Sequence, residues 1–257
     1  MGCYSLTEPG AGSDALSGTT TAVLNDEGTH YILNGQKIFV TNGAWAEVAV
    51  TFASVDGKYT AFILDKDCDG WVVGEEEKKL GIKGSSTVTF FFEDCMVPAS
   101  HLIGQENGGF LCIMTNFMKE RLFLCVMAYM TAQLALDEAL SYVKQREAFG
   151  RPIGKFQVIR HKLVDMATDV EIAREFTYRV AAKMQAGQNP VKEMAMAKNF
   201  ATDVAERTTR EAVQIFGGMG YMQESVVERL YRDAKILSIG GGTTEIMKEM
   251  IAKQMKL

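Results

Sequence analysis

Near residue 105 the chain changes its hydrophobic rhythm, and that change restricts the folds open to it. Before it lie short segments rich in β-branched and aromatic residues: Tyr31–Val40, Glu47–Ala53, Tyr59–Leu64, Gly70–Val73 and Thr87–Phe92. Clusters of Asp, Gly and Lys separate them. Several short strands at such spacing predict an antiparallel sandwich or barrel. Asn34-Gly35, lying between apolar stretches, reads as a hairpin turn. After residue 105 the apolar residues recur at the helical period of about 3.6. Helices are expected from near Gly109 to near Arg146, from near Phe156 to Gly187, and from Pro190, a residue suited to a first turn, to Phe216. Two shorter ones are expected around Val226–Ala234 and Thr243–Lys256. Three long helices with short connections predict a four-helix up-down bundle, closed by the shorter ones. The expectation is therefore a multidomain α+β chain, with an antiparallel β-barrel or sandwich over residues 1–105 and a helical bundle over 106–257.

Composition narrows the function classes. A length of 257 residues suits one large domain or two ordinary ones. With 47% hydrophobic and 23% charged residues, the balance is that of a soluble protein. A net charge of −5 argues against nucleic acid as a partner. No apolar run reaches the ~18 residues needed to span a bilayer. The five cysteines are odd in number and include no CxxC pair, which reads as thiols in a reducing compartment. With His30, His101 and His161 widely separated, no His/Cys metal site is expected. No targeting segment is legible at the N-terminus. The chain starts at once with a strand-like segment, as though in the middle of a larger architecture.

Four stretches could carry chemistry. Gly240-Gly241-Gly242 precedes Thr243-Thr244-Glu245 and an amphipathic run. Three glycines in a row suggest positive φ or close approach by another group. Thr243 or Thr244 can cap the following helix, and Glu245 sits in its first turn, where negative charge is favoured. Such a turn is either a plain connection between helices or a set of backbone N–H groups offered to a carbonyl or phosphate. Glu120-Arg121 lies just ahead of an apolar helical run. It is either an exposed surface pair or a functional carboxylate on an apolar face, which would be costly unless paired. Gln145–Gln157 joins two long helices and carries Arg146, Arg151 and Lys155. Arg146 could bind a diphosphate bidentately or neutralise a helix C-terminus. Gly10–Ala15 formally matches G-x-G-x-x-G/A, but it follows Glu8-Pro9 and precedes Ser17-Gly18-Thr19 rather than a helix. That excludes a dinucleotide-binding βαβ turn. It leaves a surface turn or a loop able to hold phosphate or pantetheine through its N–H groups and Ser13.

Taken in order, Tyr4-Ser-Leu-Thr-Glu-Pro-Gly-Ala-Gly-Ser-Asp14, Asn34-Gly-Gln-Lys-x-x-Val-Thr-Asn-Gly43, Arg146-x-x-Phe-Gly-x-x-Ile153, Gln214-Ile-Phe-Gly-Gly-Met-Gly-Tyr221, Arg232-Asp-Ala-Lys235 and the glycine turn resemble the signatures of the acyl-CoA dehydrogenase family. The resemblance covers essentially the whole chain. It implies the middle β domain and C-terminal bundle of that family, without its N-terminal helical domain. It also implies FAD held between the two domains, and α,β-dehydrogenation of an acyl-CoA to the trans-2-enoyl-CoA. Tyr4, Leu6 and Thr7 would line the flavin, and Phe39, where many members have Trp, would flank the ring with Thr41. Ser13 would lie near the diphosphate or CoA. Arg146, Phe149, Gln157, Gln214 and Gly218 would touch the FAD of a neighbouring subunit, and Thr243 and Glu245 the adenosine end. Most members carry the catalytic Glu in the turn, at the place of Gly241. The long-chain and isovaleryl branch instead carries it on the long helix, at the place of Glu120, and Ile239–Glu249 resembles the long-chain type. Glu120 is thus the implied base, with the Gly241 N–H holding the thioester oxygen. Gly240 and Arg121 are candidates for substrate contact, with packing into the bundle the favoured reading for Arg121. An electron-transfer flavoprotein, a homodimer or homotetramer, and a cytoplasmic or mitochondrial-matrix setting follow from the same resemblance. The rival readings are a catalytically impaired flavoprotein fragment, an enoyl-CoA reductase or a flavin monooxygenase.

Overall fold

The longest ladder of the β part is β3 (His30–Thr41) against β7 (Thr87–Pro98), and the rest of that sheet grows from it. The computed structural model describes all 257 residues and divides them into two units, Met1–Asn116 and Phe117–Leu257. In the first, β1 (Gly2–Ser5), β2 (Thr21–Leu24), β4 (Val48–Val55), β5 (Lys58–Asp65), β6 (Trp71–Glu76) and β8 (Leu102–Ile103) complete one sheet. Its order is β6-β7-β3-β2-β4-β5-β8, with β1 beside β4. The sheet is mixed rather than antiparallel throughout, because β1 runs parallel to β4 and β2 meets β4 in a parallel pair at Thr21 and Ser54. The loop from Leu6 to Thr20 is what allows β1 and β2 to enter on the same side of the sheet in the same direction.

Asn34-Gly35 does not reverse the chain. It lies inside β3 at a break in register against β7. Gly35 has φ +142°, and a Cβ there would fall 2.7 Å from the Thr20 Cα. The Asn34 side chain bonds Asp94 twice, donating to its Oδ1 at 3.0 Å and accepting from its N–H at 2.9 Å. The pair is therefore a bulge held by tertiary contacts, a use of Gly that local sequence cannot separate from a turn. The hairpin signal that does act is Asp56-Gly57, both at positive φ between β4 and β5.

Lys37 faces the core of this unit from β3 and is completely buried. Its Nζ donates to Glu8 Oε1 at 2.6 Å and to the Leu6 carbonyl at 3.3 Å. Glu8 also accepts from the Thr19 and Thr20 N–H groups. Burial pushes the Glu8 carboxyl up, but bonding to Lys37, then its charge, then Thr20 and Thr19 outweigh that, and its pKa falls below the ordinary value. The pair fastens both ends of the Leu6–Thr20 loop to the sheet.

The second unit holds most of α1 (Gly109–Gln145), together with α2 (Gln157–Gln185), α3 (Val191–Phe216), α4 (Val226–Ala234) and α5 (Thr244–Gln254). Pro190 precedes α3, and Gly217, at φ +61°, ends it. Cys125, Ala128, Ala132, Ala135 and Ala139 of α1 share one core with Met166, Val170 and Ala173 of α2, Ala197 and Ala201 of α3 and Val227 of α4. The alanines allow close helix approach. α1 contains a window apolar enough to cross a bilayer by composition, but one of its faces is this core.

Lys37→Met is expected to destabilise the first unit by roughly 3–5 kcal/mol, because Glu8 is left buried without its cation, with only the Thr19 and Thr20 donors to hold it. Urea unfolding followed by Trp71 fluorescence measures it, and a loss below ~1 kcal/mol would mean the pair does not secure the loop. Glu8 titrates lower folded than unfolded. Its stabilisation is therefore complete above about pH 4.3 and disappears as pH falls through the lower folded pKa.

Candidate functional site

The site in the second unit is built where the long helix α1 passes the triple-glycine turn between α4 and α5. Glu120 is half-buried on α1. Gly241 lies beside it: a Cβ on Gly241 would stand 3.6 Å from Glu120 Oε1 and 2.7 Å from Leu124 Cδ1. Gly241 has φ +64° and Gly242 φ +106°, so both need the freedom only glycine has. The three glycines thus combine a left-handed turn with close passage of a helix.

The Gly240 N–H donates to the Ile236 carbonyl at 2.8 Å. The N–H groups of Gly241 and Gly242 donate to nothing within the chain. Thr243 caps α5, its hydroxyl accepting from the Ile246 N–H at 3.3 Å. Any contact of Gly240 with a ligand is therefore through its carbonyl or the space it leaves, whereas Gly241 has an amide to give.

Three charges surround the turn. Arg121, only 4% exposed, donates from Nε to the Gly241 carbonyl at 2.9 Å, and its guanidinium lies 5.0 Å from the centre of the Phe117 ring. This is the packed alternative for Arg121: its Nε is committed to the protein's own backbone. Lys198 of α3, fully buried, donates to the Gly242 carbonyl at 2.8 Å. Burial raises the pKa of Glu120, and the charges of Arg121 and then Lys198 pull it partly back. Sequence reading missed Lys198. A single lysine in Met194-Ala-Met-Ala-Lys-Asn-Phe200 carries no local sign that it faces inward.

The first unit gathers a second group of expected residues. The Thr7 carbonyl accepts from the Ile38 N–H at 2.8 Å, which brings the Leu6-Thr7 segment beside the stretch of β3 carrying Phe39 and Thr41. Phe39 sits at φ +58°, in an irregularity of the β3/β7 register, with 63% of its surface exposed. A bulky residue held in that conformation with its ring outward is strained, which suits a residue presented to a flat aromatic group. Thr41 is exposed beside it. Tyr4 of β1 lies edge-on to Phe52, with ring centres 5.2 Å apart. Ser13 is exposed on the Gly10–Ala15 loop, which leads into no helix. The second unit holds the remainder. Arg146 and Gln157 are exposed at the ends of α1 and α2, and Gln214 and Gly218 lie exposed where α3 ends. Phe149 projects from a tight hairpin between β9 (Glu147–Ala148) and β10 (Arg151–Pro152), at φ +52° and 95% exposed. Glu245 is exposed in the first turn of α5.

Residues 3–95 match the model of the acyl-CoA dehydrogenase middle domain, and residues 107–256 that of the acyl-CoA dehydrogenase C-terminal domain. The chain belongs to the acyl-CoA dehydrogenase family. It is 45% identical to the short-chain specific acyl-CoA dehydrogenase of Megasphaera elsdenii, over 96% of this chain and 65% of that one. The structure of butyryl-CoA dehydrogenase from Megasphaera elsdenii superposes with a TM-score of 0.97 at 43% identity, covering 100% of this chain and 68% of that one. An acyl-CoA dehydrogenase from Bacillus anthracis, complexed with FAD, superposes with a TM-score of 0.94 at 38% identity, covering 99% and 47%. The chain spans about two thirds of the length of the curated relatives it matches. Among these acyl-CoA dehydrogenases the short-chain and butyryl types stand out, rather than the long-chain and isovaleryl branch suggested by Glu120 and the glycine turn.

Gly241→Ala is expected to cost about 1–2 kcal/mol of unfolding free energy, from positive φ and from contact with Leu124. The pair Gly241→Ala with Leu124→Ala should show favourable coupling, since the smaller residue removes that contact but not the backbone strain. Additive losses in a thermal-denaturation cycle would show that Leu124 does not limit the turn.

Proposed function

We propose that the flavin-loaded protein removes the α-proton and β-hydride of an acyl-CoA thioester to give the trans-2-enoyl-CoA, with Glu120 as the base. One observation carries this reading: a carboxyl whose pKa is raised by burial lies beside a glycine turn whose Gly241 N–H has no partner in the chain. The α-proton of a thioester is weakly acidic, so its removal needs a positioned base and a donor for the developing enolate oxygen. Glu120, ionised, would accept the proton on Oε. The Gly241 N–H would donate to the thioester oxygen as charge gathers there. Arg121 and Lys198, bonded to carbonyls of the turn, keep positive charge near without occupying the amide.

FAD, when bound, supplies the acceptor for the hydride leaving the β-carbon. Tyr4, Leu6, Thr7, Phe39 and Thr41 would line its ring, Ser13 would lie toward the diphosphate or CoA, and Thr243 and Glu245 toward an adenosine. Arg146, Phe149, Gln157, Gln214 and Gly218 would serve the FAD of another copy of the chain. Their exposure supports this, above all that of Phe149, whose strained and bare ring gains from being covered. A homodimer at least, or a homotetramer, follows. An electron-transfer flavoprotein would reoxidise the flavin, in a cytoplasmic or matrix setting. The same proposal takes the helical unit as an up-down four-helix bundle.

In flavin-loaded protein, Glu120→Gln is expected to slow acyl-CoA-dependent reduction of an electron acceptor by about 10²–10⁴-fold, the contribution of a general base. A rate within about tenfold of wild type would remove Glu120 from that role. In wild type the rate should rise with pH through a pKa above the ordinary carboxylate range, because only ionised Glu120 accepts a proton.

A further inference from the structure

Lys198 enters the reaction as described only as a nearby charge. It projects from the N-terminal third of α3, has no exposed surface, and donates to the neutral Gly242 carbonyl at 2.8 Å. The other fully buried lysine, Lys37, holds a carboxylate at 2.6 Å. A buried ammonium bonded only to a carbonyl is expensive, and a methionine of similar length would fill the space without that cost. Something other than packing therefore accounts for the charge.

Its surroundings say what. Arg121 holds the Gly241 carbonyl and Lys198 the Gly242 carbonyl, so two cations from two different helices clamp consecutive peptide groups of the turn. The charged and titratable groups around Lys198 are Glu120, Arg121 and Cys125, all from α1. Of these, Glu120 is the only carboxylate. From the turn, carbonyl oxygens face it. We propose that Lys198 is a positioning residue for the base, its ammonium anchored by the Gly242 carbonyl so that its charge keeps Glu120 ionisable while the same bond fixes the turn beside it. The proposal rests on the reading of Glu120 as the reacting carboxylate. Burial brings Lys198 itself down to about 8, with Cys125 and Glu120 opposing the fall and Arg121 adding to it. The support given to Glu120 is therefore present below pH 8 and fades above it.

The test is a titration rather than a turnover. In the 257-residue chain, the Glu120 carboxyl is followed by NMR of 13C-labelled glutamate, its resonance assigned by its loss in Glu120→Gln. Lys198→Met should raise the Glu120 midpoint by about one pH unit, and Lys198→Arg should return it to within about 0.3 unit of wild type. A shift below about 0.3 unit in the Met variant overturns the proposal. Should Lys198→Met not fold, the same coupling is read from the other side. With 13Cε-labelled lysine, the Lys198 midpoint should fall by about one unit in Glu120→Gln, and an unchanged midpoint overturns the proposal. The two readings separate cleanly. A shifted midpoint in a protein that dehydrogenates no acyl-CoA refutes the dehydrogenase reading alone, and an unshifted one in an active enzyme refutes the role of Lys198 alone.

Discussion

A carboxylate held partly out of water resists ionisation, and in the helical unit Arg121 and Lys198 oppose that resistance at Glu120. Without compensation the group would stay protonated and could accept nothing. Proposed as a base, it needs enough nearby positive charge to ionise without losing its basicity. Arg121 and Lys198 are near enough to act on Glu120, yet each has spent a hydrogen bond on the backbone of the glycine turn. The turn thereby does two things. It offers the Gly241 N–H outward, and its carbonyls hold cations on the other side.

The β unit solves a similar problem differently. Glu8 and Lys37 are both buried, bonded directly, and surrounded by further donors from Thr19 and Thr20. Nothing there is left poised to change its proton. The pair ties down the loop that begins at Leu6-Thr7, and the Thr7 carbonyl in turn joins the strand carrying Phe39 and Thr41. One buried ion pair fixes structure by direct bonding, whereas Arg121 and Lys198 divide their influence between the Glu120 carboxyl and the backbone of the turn.

Helix positions were legible because apolar periodicity, Pro190 and the glycines at Gly187 and Gly217 act locally. The strands were legible one by one, but their directions were not. Parallel entry of β1 and β2 depends on the path of the Leu6–Thr20 loop, which no local pattern encodes. Asn34-Gly35 carries the chemistry of a hairpin turn, but contacts with Thr20 and Asp94, distant in sequence, make it a bulge. For the site, local reasoning treated Glu120-Arg121 as either a surface pair or a functional one, and only the family resemblance favoured the second. Lys198 escaped both. Its partner is a backbone carbonyl, and a carbonyl leaves no mark in a sequence.

Gly241 also bears on ancestry. A side chain there would enter the space held by Leu124 and come within 3.6 Å of the Glu120 carboxyl. A carboxylate added at the turn while Glu120 remains would crowd the end of Leu124 and face a like charge, so a lineage that carries its acid in one of the two places gains little from a second.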